Sequence, residues 1–332
     1  MDLQATEIPV AAPTLCWLGN RLFSVNPWRQ LWPSLAPAPS RQGNAPGGDW
    51  AVSSPQGDWV AVVESVGTRG WLLDADGNVH RELTRDSYHA EAYRYPITLF
   101  TLPDGRTGLA HCPELYCRLE IEVAQTGERL TASSERAPRD IFHSRLSVDP
   151  SGRWLVSAGW LWHPWNVVFL YDIATALADP RHLDGFGLAD DSTRSMLQAE
   201  QSAACIVGND LFVATSNEEP DAEEETPVLQ ARSLNACSLH DHTWRWHRQL
   251  PLLAGDLLPF AGGVLALYDH PRLYSATGEL LHDWPDLPTG EAVFSIVWHR
   301  HFSGLARVTV NPTGDKFAYT DGHRVVVVQT TN

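Results

Sequence analysis

Four histidines, His111, His163, His270 and His323, sit in polar segments between short apolar runs. Imidazoles that converge with carboxylates can hold a divalent metal or act as general acid and base. With 14 histidines in 332 residues, composition alone also places several in loops. A second concentration is Trp160-Leu-Trp-His-Pro-Trp-Asn166, three indoles and an imidazole in seven residues. Indoles are large, stiff and amphipathic, and suit protein contacts; filling gaps between sheets is their competing use. A third is Asn217-Glu-Glu-Pro-Asp-Ala-Glu-Glu-Glu-Thr226, where Glu218, Glu219, Asp221, Glu223, Glu224 and Glu225 crowd one segment. So acidic a run cannot bury itself, and it is expected to be a mobile loop, either functionless or attractive to a basic partner.

Other motifs carry less. Cys112 and Cys117 have four residues between them and no second cysteine pair, which is poor zinc spacing. Asp74-Ala-Asp-Gly-Asn78 begins like a calcium loop but lacks the closing Glu, and reads as a hairpin turn. No Gly-x-Ser-x-Gly, phosphate loop or dinucleotide fingerprint occurs. No metal or cofactor is therefore expected.

The elements that must position these residues are short. Apolar runs alternate with Gly, Pro, Asn and Asp clusters, the pattern of an all-β chain. Helix is expected only at Ile173–Ala178 and within Asp190–Ala204. Three segments superimpose: Val52-Ser-Ser-Pro-Gln-Gly-Asp-Trp-Val-Ala-Val-Val63, Leu146-Ser-Val-Asp-Pro-Ser-Gly-Arg-Trp-Leu-Val-Ser157 and Val308-Thr-Val-Asn-Pro-Thr-Gly-Asp-Lys-Phe-Ala-Tyr319. Each reads strand, Pro-x-Gly turn, strand, which marks a repeated antiparallel sheet. Units are expected over 50–83, 95–131, 144–185, 202–250, 256–284 and 306–329. Cys16-Trp-Leu-Gly-Asn-Arg-Leu-Phe-Ser-Val25 matches Cys205-Ile-Val-Gly-Asn-Asp-Leu-Phe-Val-Ala214 and begins another. The Pro-, Ala- and Ser-rich stretch 27–48 reads as irregular.

The strand–Pro-x-Gly–strand–loop–strand order resembles the WD40-like β-propeller repeats common in bacterial proteins. In Asn166-Val-Val-Phe-Leu-Tyr-Asp172 the closing Tyr-Asp stands where that family often has Trp-Asp. The Gly-His pair of the eukaryotic repeat is missing from most units, so the resemblance is to the architecture and to no individual member. It implies one β-propeller domain over 1–332, built of four-stranded antiparallel blades. Seven blades are favoured; six, with the N-terminal strands completing the last, is the alternative. It also implies that loops joining second to third strands share one face: 66–70, 111–116, 160–166, 216–227, 269–271 and 321–323.

Charge and composition limit the partners. There are 40 acidic and 24 basic residues, a net charge of −16. Nucleic acid and anionic membrane suit such a surface poorly, and a basic protein suits it well. No apolar run is long enough to span a bilayer. The N-terminus lacks a secretory pattern, and five scattered cysteines suit a reducing compartment, so a cytoplasmic location is expected. The leading expectation is a non-catalytic protein-binding propeller, in its narrower form an acidic inhibitor or immunity protein for a basic toxin. Its contact residues would be Trp160, Trp162, His163, Trp165 and the six acidic residues of 217–226. The alternative is a lyase or hydrolase, in one form metal-dependent, whose site His111, His163, His270 and His323 line at the channel mouth. A sugar-binding propeller, with Trp160, Trp162 or Trp165 stacking on the rings, is the third expectation, weakened by the lack of a secretory pattern.

Overall fold

A computed structural model describes residues 2–37, 47–161, 165–185, 187, 199–219, 227–294 and 307–331. Within them the chain is all-β, and its strands form seven antiparallel sheets. The first sheet is β2 (Leu15–Leu18), β3 (Arg21–Ser24) and β4 (Arg29–Trp32). The second is β5 (Trp50–Ser53), β6 (Trp59–Val63), β7 (Arg69–Asp74) and β8 (Val79–Thr84). The third is β9 (Ile97–Thr101), β10 (Thr107–His111) and β11 (Glu120–Val123). In the fourth, β12 (Ile141–Phe142) and β13 (Leu146–Val148) both pair with β14 (Trp154–Leu161), which pairs with β15 (Trp165–Asp172). The fifth is β16 (Gln201–Val207), β17 (Asp210–Thr215), β18 (Ser233–Ser238) and β19 (Trp244–Gln249). The sixth is β20 (Leu257–Phe260), β21 (Gly263–Ala266), β22 (Arg272–Tyr274) and β23 (Leu280–Asp283). The seventh is β24 (Arg307–Val310), β25 (Lys316–Thr320) and β26 (Val325–Thr331), completed by β1 (Asp2–Ile8). The architecture is a seven-bladed β-propeller.

The chain divides into two compact units. One is Met1–Thr131, Pro150–Gly152 and Val297–Asn332; the other is Ala132–Asp149 and Arg153–Ile296. In the first, sheet seven packs on sheet one through Ala318, Val325 and Val327 against Leu15, Trp17 and Leu22. Sheet one packs on sheet two through Cys16 and Phe23 against Val60 and Val62. Sheet two packs on sheet three through Ala61 and Leu72 against Ile97 and Leu109. In the second unit, sheet four meets sheet five through Val156 and Leu170 against Ile206 and Val213. Sheet five meets sheet six through Phe212 and Leu234 against Val264 and Tyr274. Alternate residues of each strand thus feed two successive interfaces, as an apolar sheet buried on both faces requires.

The Pro-x-Gly turns recur for a local reason. The residue before each proline caps the turn with its side-chain oxygen. Ser54 Oγ accepts the amides of Asp58 and Trp59 at 3.1 and 3.0 Å. Asp149 Oδ1 accepts those of Arg153 and Trp154 at 2.9 and 2.6 Å. Asn311 Oδ1 accepts those of Asp315 and Lys316 at 3.1 and 2.9 Å. The three turns join β5 to β6, β13 to β14 and β24 to β25. Asn311 Nδ2 also donates to Asn20 Oδ1 at 2.9 Å, so the Pro312 turn lies beside the Gly19–Asn20 turn. A Cβ on Gly57 would stand 3.0 Å from Gly19 N, so the Pro55 turn lies there too. The Cys16 and Cys205 segments form hairpins in one register, Cys16 opposite Phe23 and Cys205 opposite Phe212. Gly19 and Gly208 turn them at φ 58° and 59°. Asp74 is a turn residue: its Oδ1 accepts the amides of Asp76 and Asn78.

Two expectations change, and one strand is added. The helix expected within 190–204 is absent from its described part, where Gln201–Val207 is β16; residues 190–198 lie outside the described residues. The helix at Ile173–Ala178 is present, capped by Asp172 accepting from Thr175 N. The stretch 27–48 contains β4, and residues 38–46 of it lie outside the described residues. The fourth strand of sheet seven is β1, which pairs with β26 at seven positions, while Cys16–Val25 opens a sheet of its own.

Asn311→Ala should cost about 2 kcal/mol, because two turn amides lose an acceptor at once. Urea unfolding should show a lower midpoint with an unchanged native circular-dichroism spectrum. An unchanged midpoint would mean the cap contributes nothing.

Candidate functional site

All six segments expected on one face do join the second strand of a sheet to the third. Two of them, the Trp-rich segment and the acidic segment, meet in the second unit. Their meeting point is Glu200, which the sequence reading did not single out. Glu200 directly precedes β16 and is buried, 6% exposed. Its Oε2 accepts Asn166 Nδ2 at 2.6 Å. Its backbone carbonyl accepts Ser216 N at 2.9 Å. Next to it, Gln201 Oε1 accepts Val168 N at 2.8 Å, so the start of β16 is stitched along β15. Ser216 Oγ in turn accepts Glu218 N at 3.1 Å, and the Glu218 side chain hydrogen-bonds the Glu200 carboxyl. Burial pushes the Glu200 carboxyl above the ordinary carboxylate range; the Asn166 hydrogen bond opposes this, and the charge of Glu218 adds to it.

Around this anchor the candidate contact residues divide. Trp160 is buried and stacks on Phe142, with centroids 3.9 Å apart and planes 8° from parallel. Its indole is packing within sheet four. Trp165 opens β15 and is half-buried. Glu218 and Glu219 are exposed. Trp162, His163, Asp221, Glu223, Glu224 and Glu225 lie outside the described residues. The described core of the site is therefore Trp165, Asn166, Glu200, Ser216, Glu218 and Glu219. Trp165 opens β15 of sheet four, Glu218 and Glu219 follow β17 of sheet five, and Glu200 bonds the residues next to both.

The remaining histidines have local partners. In the first unit, His111 is the last residue of β10, buried, with Nε2 3.4 Å from Glu122 Oε1. Arg81 Nη2 donates to the same oxygen. Burial opposes ionisation of Glu122, but the His111 and Arg81 hydrogen bonds and charges outweigh it and hold the carboxyl down at about 2. His323 is exposed, and its amide donates to Asp321 Oδ1 at 2.8 Å. In the second unit, His270 Nδ1 stands 2.9 Å from Asp269 Oδ2, and its Nε2 3.7 Å from Asp283 Oδ2. Among the described residues no three His, Cys, Asp or Glu side chains gather so as to hold a metal ion. Among them, too, no helix is long and apolar enough to cross a membrane.

Comparison with known proteins places the fold. The β-propeller domain of Cps50 (Swd1) from Myceliophteria thermophila superimposes with a TM-score of 0.55 at 12% identity, covering 98% of each chain. BamB from Moraxella catarrhalis superimposes at 0.53 and 12%, covering 100% of this chain and 99% of that one. A chain of a Mitotic Checkpoint Complex superimposes at 0.58 and 10%, covering 99% and 94%. At such identities the likeness is one of fold. No family model and no curated protein matches the sequence.

Glu200→Gln tests the anchor. The folded state holds the Glu200 proton more tightly than the unfolded chain. The stability this group contributes is complete below the ordinary carboxylate value and is lost as pH rises through the raised one. Gln keeps the acceptor for Asn166 and cannot ionise. The variant should melt at or above the wild-type temperature at pH 7, and the gap should close as pH falls below 4.5. A lower melting temperature for the variant at pH 7 would contradict the raised carboxyl.

Proposed function

We propose that this chain is a non-catalytic protein-binding propeller that receives a basic protein partner on the surface of sheets four and five carrying Trp165, Glu218 and Glu219. The observation that carries this reading is the Glu200 anchor. It links Asn166, the neighbour of the half-buried Trp165, to Ser216 and the exposed Glu218, which Glu219 follows, through a buried hydrogen-bond network. A rigid aromatic anchor beside charge that steers encounter is the pairing protein interfaces use. The net charge of −16 extends the attraction over the whole surface. One propeller of the same fold was solved within a Mitotic Checkpoint Complex, an assembly of proteins. The narrower form of the proposal is an inhibitor of a basic protein, of the kind an immunity protein is for its toxin, acting in the cytoplasm.

The test is binding kinetics with a basic partner captured from the native host. Trp165→Ala should cost about 2 kcal/mol, chiefly through faster dissociation. Glu218→Gln with Glu219→Gln should slow association and flatten its salt dependence, with dissociation little changed. Both variants should melt within about 2 °C of wild type, because the changed side chains are partly or wholly exposed. Association that does not depend on salt in the wild type would overturn the basic-partner reading. Wild-type affinity in Trp165→Ala would move the contact surface elsewhere.

A further inference from the structure

The first unit contains a buried cation whose protein partners are all neutral. Arg85 follows β8 and is 5% exposed. Its Nε donates to the Gly67 carbonyl at 2.7 Å. Its Nη2 donates to the carbonyls of Ala90 and Tyr93, the second at 3.1 Å. The guanidinium carbon stands 4.5 Å from the Tyr93 ring centre and 4.9 Å from that of Tyr95. Nη1 is sealed from solvent and has no hydrogen-bond partner of proper geometry among the described residues, the same holds for the hydroxyl of Tyr95, and the neutral Tyr93 phenol interacts with the guanidinium.

Nearby acids are committed elsewhere. Asp86 accepts the amides of Tyr88 and Tyr116 at 3.0 and 3.1 Å. Glu122 is shared by Arg81 and His111. Burial raises the phenols of Tyr93 and Tyr95, so both stay neutral and supply no counter-charge. A guanidinium does not shed its proton in a protein. A buried, uncompensated charge is costly, and a water molecule can satisfy free donors without neutralising it.

We infer that Arg85 Nη1 and the Tyr95 hydroxyl hold a small monovalent anion of the halide class as the counter-ion of Arg85. The chemistry of the donors sets the class. Two donor groups in an aromatic surround suit a weakly hydrated ion that accepts from both and sheds its water cheaply. A divalent oxyanion would overcompensate one positive charge and bring more oxygens than there are free donors. The bound ion has a structural consequence. Arg85 ties the β6–β7 loop at Gly67 to the β8–β9 connection at Ala90 and Tyr93, so halide binding stabilises the connection that carries Tyr88, whose ring lies tilted against Tyr116.

The experiment uses the full chain. Melting is followed at constant ionic strength while sodium gluconate is replaced stepwise by sodium chloride or sodium bromide. The site predicts a saturable rise in melting temperature with either halide, and chloride-35 line broadening that bromide competes away. Tyr95→Phe keeps the ring and removes the hydroxyl, and should weaken the halide midpoint about tenfold. Arg85→Met should abolish the effect. If that variant fails to fold, bromide anomalous scattering from wild-type crystals decides instead, with a peak expected in contact with Nη1. A melting temperature indifferent to halide, or crystals with no bromide beside Arg85, would overturn the inference and leave a buried water on these donors.

Discussion

An apolar antiparallel sheet of four strands has two faces to cover and cannot cover either by itself. Everything else in this structure depends on that constraint. Successive sheets satisfy it by lending each face to a neighbour, as Phe23 and Cys16 of sheet one do against Val60 and Val62 of sheet two. Within the first unit this requires sheet seven to meet sheet one, and the chain arranges it by giving its first strand to its last sheet. β1 pairs with β26 from Asp2 opposite Thr331 to Ile8 opposite Val325. The N-terminal strand therefore protects the edge of β26, an unbroken Val325-Val-Val-Val328 run that would otherwise template aggregation.

Much of this was legible because the turns carry their own signature. A Ser, Asp or Asn before Pro-x-Gly is the residue whose side chain accepts two later amides, so the motif and the geometry are one fact seen twice. The Cys16 and Cys205 segments were legible for the same reason: glycine at positive φ fixes the hairpin, and the apolar pattern fixes its register. The sequence reading gave β1 no role, because Asp2-Leu-Gln-Ala-Thr-Glu-Ile8 is an edge strand with polar residues on its outer face and no turn before it. The strand at Gln201–Val207 was hidden by alanines, which suit a helix until neighbouring sheets claim both faces.

The site was legible only in outline. Composition marked the Trp-rich and acidic segments as unusual. It could not show that Trp160 turns inward onto Phe142 while Trp165 opens the next strand. Nor could it mark Glu200, a single carboxylate at the mouth of an apolar strand, as the residue that joins the two segments. Pairing partners 34 residues apart in sequence are set by the order of the sheets. The histidines show the converse. Their shared position in the repeat is real, yet the His111 imidazole is drawn onto the buried Glu122, the His270 imidazole onto Asp269, and the His323 amide onto Asp321.

The proposed partner surface lies at the junction of sheets four and five. Hydrogen–deuterium exchange on the free and partner-bound protein tests that most directly. Slowed exchange confined to the amides of Trp165, Asn166 and Asn217–Glu219, with the Pro55 and Pro312 turns unchanged, is the result the account predicts. Protection centred on those proline turns, with 165–166 and 217–219 exchanging as in the free protein, would contradict it.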